Sequence, residues 1–196
     1  NVNKVCLSGL NAIYLANQMI AAGEADIVIA GGMESMSNAP YIADGARAGF
    51  RYGNTELRDA IIADGLWCSF DGCLMGLGTD CYAGSESISR DAQDAFAATS
   101  NERAADAIKD GRLADEIVPV AVPQRKGDPI LVETDEGVRP GTSMESLASL
   151  RPAFDKDGTV TAGNASQLSD GASAVVLMSR AEAERRGVAP LGEFVS

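Results

Sequence analysis

Between residues 6 and 23 the chain carries no charge, and Leu7, Leu10, Ile13, Tyr14, Leu15, Met19 and Ile20 spread around most of a helical wheel. That spread predicts a helix buried on nearly all sides. Ser8, Gly9, Asn11, Asn17 and Gln18 within it make a membrane span costly. Gly23 is a natural stop, and the apolar run 27–32 that follows reads as a strand buried on both faces. A second charge-free, β-branched run at 172–178 is expected in the same sheet. A buried helix feeding such a strand is the mark of a layered α/β fold.

Between the two runs lie about 140 residues, far longer than an ordinary connection and expected to carry function. Residues 33–88 are loop-rich, with a short helical candidate at 56–64. Ser89 can cap a helix whose first turn holds Asp91 and which runs through Phe96 and Ile108 to Lys109, ending near Gly111. Residues 117–122 and 130–133 flank a basic tip and predict a hairpin whose first strand Pro119 and Pro123 push to an edge. Ser179 and Glu182 have capping-box spacing, and Gly187 closes the helix after them.

Composition narrows the chemistry. With 16 Lys plus Arg against 28 Asp plus Glu the net charge is −12, which repels phosphate backbones and excludes nucleic acid as an expected partner. The chain has no histidine, so it holds neither a Ser-His-Asp nor a Cys-His pair, nor any zinc site that uses an imidazole. Cys6, Cys68, Cys73 and Cys81 form no CxxC pair and no disulfide framework, which suits a reducing, cytoplasmic setting. No metal is expected. The chain opens on Asn1 and stops soon after an apolar run begins, so it reads as an internal piece of a longer protein.

Cys6 stands at the first turn of the uncharged helix, where free backbone N–H groups and the helix dipole favour a reactive thiolate. The plain alternative is a buried thiol that packs like alanine. Residues 155–159 match DxDGT, a phosphate-transfer signature, but Arg151 and Pro152 make a poor buried strand ahead of it, and an acidic turn is the better reading. Gly31-Gly32 after a strand could suggest a phosphate loop, yet Glu34 sits where a phosphate would lie. Arg125, Lys126 and Arg139 concentrate positive charge in the acidic insertion, as a solvated tip or as a contact for an anionic ligand group.

With these features in place, the sequence resembles the thiolase family. Residues 2–10 (VNKVCLSGL), 30–40 (AGGMESMSNAP), 90–97 (RDAQDAFA), 150–166 (LRPAFDKDGTVTAGNAS) and the following DGASAVVLMS fall in the family's order and cover essentially the whole chain. The DxDGT match is thereby absorbed. The resemblance implies a partial thiolase-like layered α/β fold, with a buried helix and mixed sheet and an inserted α+β loop domain. Residues 1–35 would be the later part of the N-terminal half, 36–168 the inserted coenzyme A-binding loop domain, 169–188 the last strand and helix of that half, and 189–196 the start of a C-terminal half.

Carried over by position, Cys6 would be the acylated nucleophile, its backbone N–H helping to hold the oxyanion. Arg139 would lie against the adenine and Ser166 near a pantetheine amide. Leu66, Met75, Phe154, Ala162 and Leu168 would line the pantetheine tunnel. The chain departs from the family pattern at Leu7, where glycine is common, at Leu74, where histidine is frequent, and at Gln167 and Ser169. The family's activating histidine and second catalytic cysteine belong to a C-terminal half whose motifs do not occur in these residues.

The resemblance therefore implies an acyl-CoA C-acyltransferase. An acyl group passes from a coenzyme A thioester to cysteine, followed by Claisen condensation or the reverse thiolysis. Acyl-CoA is the substrate, no further cofactor is implied, and a homodimer or homotetramer with no membrane or nucleic-acid partner is expected. The 196-residue chain alone should be inactive, because it has no base for Cys6. The competing readings are a non-catalytic acyl-CoA-binding fragment or paralogue and a ketosynthase of the same superfamily.

Overall fold

The computed structural model describes residues 1–195. Its elements are, in order, α1 (Ser8–Ala21), β1 (Ile27–Ser35), β2 (Tyr41–Ile42), β3 (Arg58–Asp59), a π-helix (Ile61–Leu66), β4 (Trp67–Cys68), β5 (Cys73–Leu74), α2 (Met75–Ser85), α3 (Arg90–Lys109), β6 (Val120–Val122), β7 (Ile130–Val132), α4 (Met144–Ala148), β8 (Asp170–Met178) and α5 (Arg180–Arg186). The chain forms two compact units, one from residues 1–67 with the stretch from Leu168 onward, the other from Cys68–Gln167.

In the first unit β1 and β8 pair antiparallel along their whole length, from Ile27 opposite Met178 to Ser35 opposite Asp170. The two apolar runs thus share a sheet as expected. The sheet expected to be mixed is, among the described residues, an antiparallel pair. Two glycines let the layers meet. A Cβ on Gly32 would lie 3.1 Å from the Gly9 Cα, so α1 crosses β1 backbone to backbone. A Cβ on Gly31 would meet the Ser173 carbonyl and, at 3.1 Å, the Ala174 Cα. The Gly31-Gly32 pair is a packing device, which accounts for the poor fit to a phosphate loop.

Burial in this unit differs from expectation. Ala16 is the one fully buried residue of α1, while Leu10, Tyr14, Leu15 and Met19 are exposed. β1 is not covered on both faces either: Ala30 is buried, but Ile29 is 73% exposed and Met33 lies open. The reason is geometric, since a single helix laid on a two-stranded ribbon covers one face of each. Around 56–64 the expected helix is replaced by β3, paired antiparallel with β2, and then the π-helix. No helix among the described residues is long and apolar enough to cross a membrane.

The second unit packs α4 on α3 and closes its core with Leu147, Val160, Ala97 and Ala83. Ser89 caps α3 by accepting the Ala92 N–H, as the sequence predicts. β6 and β7 form the expected hairpin, with Val120 opposite Val132. The capping boxes are redistributed. Ser179 accepts the Glu182 N–H, but the Glu182 carboxylate turns to Arg185 and Arg186 instead of reaching back. A complete box forms at Ser143 and Ser146, where a second serine takes the place of the usual Glu or Gln.

Candidate functional site

Cys6 is exposed and lies two residues ahead of α1, before the N-cap Leu7, rather than in the first turn of the helix. The turn that presents it is tight. Val5 has φ of 53°, one of two non-glycine residues with positive φ among those described. For a β-branched side chain this conformation costs about 1–3 kcal/mol. Hydrogen bonds surround it. Asn3 Oδ1 accepts the Val5 N–H at 3.0 Å, while the Ser8 hydroxyl accepts the Lys4 N–H at 2.8 Å and donates to the Val5 carbonyl at 2.8 Å. The Gly9–Gly32 contact seats this end of α1 on the sheet. Position in the sequence suggested the helix start; the strained turn has no local signature, because Val5 is an unusual residue for it.

Two further candidates belong to the same unit. Leu66 ends the π-helix and is half-buried. Leu168 is exposed, beside Ser169, whose N–H points at the Met36 sulfur 3.4 Å away.

In the second unit the segment 154–166 carries Phe154, Ala162 and Ser166, all three exposed. Phe154 lays its ring over Gly76, where any Cβ would collide with it, and so lies next to Met75 at the head of α2. Asp80, one turn further on, accepts the Thr159 N–H at 2.6 Å, the Val160 N–H at 2.9 Å and the Thr159 hydroxyl at 3.3 Å, all on Oδ1. From α3, Gln93 donates to the Thr159 hydroxyl at 2.9 Å. Asp94, 1% exposed, takes Arg90 Nε at 2.7 Å and Asn164 Nδ2 at 2.9 Å. Asn164 in turn accepts the Thr161 N–H at 2.7 Å, and Thr161 is fully buried. Arg90 also donates to the Leu147 and Leu150 carbonyls, joining α4 to the same knot.

Arg139 is exposed. Its N–H donates to Asn101 Oδ1 at 3.2 Å, and its carbonyl accepts the Thr142 hydroxyl at 2.7 Å. Its neighbour Gly137 lies against the Gln167 side chain, which brings the Arg139 strand of chain beside Ser166. Met75 and Phe154 are thus brought together, as are the segments of Arg139 and Ser166. Arg125 and Lys126 form the exposed hairpin tip and join no ion pair among the described residues. The sequence alone does not mark Asp80, Asp94 and Asn164 as holding groups. Arg90 and Asp94 do show (i, i+4) spacing of opposite charge, which could have flagged them.

The remaining thiols have other roles. Cys68 donates to Asp71 Oδ2 at 3.1 Å. Burial, then the neighbouring Asp71 carboxylate, pushes the Cys73 thiol up, so it stays protonated and a poor nucleophile at neutral pH. No group of three or more His, Cys, Asp or Glu among the described residues could hold a metal ion.

Comparison with known proteins agrees with this layout. The family model described as thiolase, N-terminal domain, matches residues 1–181. The acetyl-CoA acetyltransferase of Thiocystis violacea is 52% identical over 195 residues, covering 100% of this chain and 50% of that protein. The acetyl-CoA acetyltransferase of Shinella zoogloeoides is 54% identical over 195 residues, 100% of this chain and 49% of its own. The solved structure of acetyl-CoA acetyltransferase from Syntrophomonas wolfei superposes with a TM-score of 0.87 at 41% identity, over 97% of this chain and 47% of that one. The chain spans about half the length of the curated relatives it matches. Matched from its cysteine turn to its last long strand and sharing the fold, the chain belongs to the thiolase family.

Proposed function

We propose that the protein is an acyl-CoA C-acyltransferase in which Cys6 accepts the acyl group. The observation that supports this best is an exposed cysteine on a strained turn at the head of α1, within a stretch matched throughout to acetyl-CoA acetyltransferases. The Cys6 thiolate attacks the thioester carbonyl carbon and a new C–S bond forms. The C–S bond to coenzyme A breaks, and the departing thiolate takes up the proton that left Cys6. Condensation with a second acetyl-CoA, or thiolysis in reverse, completes the cycle.

The second unit supplies the coenzyme A platform in this reading. Phe154, packed on Gly76, forms part of the pantetheine lining with Met75 and Ala162. Ser166 meets a pantetheine amide, and the exposed Arg139 guanidinium stacks on adenine. No metal or further cofactor takes part. A homo-oligomer, as expected of the family, fits the apolar positions left open on α1 and β1. Four free thiols suit the cytoplasm.

The chain has no histidine, so by itself it lacks a base for Cys6 and should not turn over. The test is mass spectrometry of the full-length protein after incubation with acetyl-CoA. One acetyl group is expected on the peptide containing Cys6, and none in Cys6→Ser. An adduct on another residue, or no adduct while Cys6 remains free, would sink the assignment.

A further inference from the structure

We propose that Asp80 is a positioning residue for coenzyme A, holding the segment 154–166 at the height over α2 that the thioester's pantetheine arm requires. The inference rests on the coenzyme A platform proposed above.

Gly76 and Asp80 lie four residues apart on α2 and therefore on one face of it. That face meets the segment at two points. Gly76 takes the Phe154 ring, and Asp80 Oδ1 gathers three donors from Thr159 and Val160. The other carboxylate oxygen, Oδ2, is buried and has no hydrogen-bond partner among the described residues. Gly158 faces it so closely that a Cβ there would stand 2.5 Å away.

A buried carboxylate oxygen left without a donor destabilises a fold, and such exceptions call for a reason. Stability alone does not provide one. The segment is already tied to α3 by Gln93, and by Asp94 through Asn164. What Asp80 adds is the tie to α2, the helix that carries Met75, at the same Thr159 that Gln93 holds from α3. With both anchors made, Met75, Phe154, Ala162 and Ser166 keep fixed spacing along one wall. With the α2 anchor lost, Gln93 still holds Thr159 to α3 and the Ala153 N–H still donates to the Val160 carbonyl, so the segment keeps its fold but loses its fixed distance from α2.

The experiment compares two substrates on the full-length enzyme: acetoacetyl-CoA, and the acetoacetyl thioester of N-acetylcysteamine, which lacks the nucleotide and most of the pantetheine arm. Asp80→Ala should raise KM for acetoacetyl-CoA about ten-fold with kcat within about three-fold, and leave kcat/KM for the short thioester within about two-fold. Asp80→Asn keeps an acceptor oxygen for Thr159 and Val160 and should recover most of the loss. Equal losses on both substrates, or an unchanged KM in a folded Asp80→Ala protein, would overturn the proposal. If Asp80→Ala fails to fold, Gly158→Ala presses on the same carboxylate from the opposite side and should raise KM selectively for acetoacetyl-CoA; an unchanged KM there counts against Asp80. Wild-type enzyme that handles both thioesters with equal KM would refute the platform itself, and this inference with it.

Discussion

Replacing Asp94 with alanine removes the centre of the polar knot in the second unit. Asp94 is 1% exposed and receives Arg90 Nε at 2.7 Å and Asn164 Nδ2 at 2.9 Å. Removing one partner of a buried ion pair costs about 3–5 kcal/mol, because the other charge is left behind in a poor solvent. Two features place this case near the lower bound. Arg90 Nη2 keeps the Leu147 and Leu150 carbonyls, and Asn164 Nδ2 keeps the Thr159 carbonyl at 3.1 Å. The expected loss is therefore about 3 kcal/mol, equivalent to roughly 6–12 °C in Tm for a chain of this size. Urea unfolding followed by circular dichroism measures it directly. The double variant Arg90→Ala/Asp94→Ala should cost less than the sum of the two single changes by about 1–3 kcal/mol, since removing Arg90 removes the stranded charge. A single-variant loss under about 1 kcal/mol, or strict additivity, would refute the reasoning.

Gly31→Ala should destabilise the β1–β8 ribbon by about 1–3 kcal/mol, because the new methyl meets the Ser173 carbonyl and Ala174, neither of which can rotate away. Gly171→Ala, with nothing within 4 Å of its Cβ position, is the neutral control, and faster amide exchange at Val175 and Val176 in the first variant alone is the expected readout. Hydrogen bonds from Arg186 and then Arg185 hold the Glu182 carboxyl below its ordinary value. A depressed carboxyl contributes stability that is present above its unfolded value, about 4.3, and is lost as the pH falls through the folded value. The Tm difference between wild type and Glu182→Gln should therefore be constant from neutral pH down to about pH 5 and shrink below about pH 4. A difference as large at pH 3 as at pH 7 would contradict the ion-pair account.

Much of the scaffold is readable from the residues alone, and the exceptions share a cause. The uncharged run before Gly23, the Ser89 cap and the paired apolar runs at 27–32 and 172–178 are local signals, and α1, α3, β1 and β8 follow them. Cys6 and the segment 150–166 stand out through family motifs rather than periodicity. Burial is misjudged on α1 and β1 because an apolar pattern reports what a residue can tolerate, not how many layers the described residues supply. Asp80 and Asn164 escape notice because their partners lie 79 and 70 residues away. No local signal marks Asp80, and the motif that contains Asn164 does not show what it holds. Gly31-Gly32 has the look of a ligand loop in the sequence, whereas its glycines serve the close approach of α1 and β8.

The pairing of β1 with β8 also sets a schedule for synthesis. Ile27–Ser35 leaves the ribosome about 140 residues before its partner Asp170–Met178, whereas every hydrogen bond described for the knot around Asp94 lies within Cys68–Gln167. At about 5–20 residues per second, the first strand waits roughly 7–28 seconds before β8 can pair with it along Ile27, Val28 and Ile29. The inserted unit can close during that interval. The β1–β8 pair of the unit that bears Cys6 therefore closes late, and until then the β1 edge that β8 takes stays open to pairing with another nascent chain.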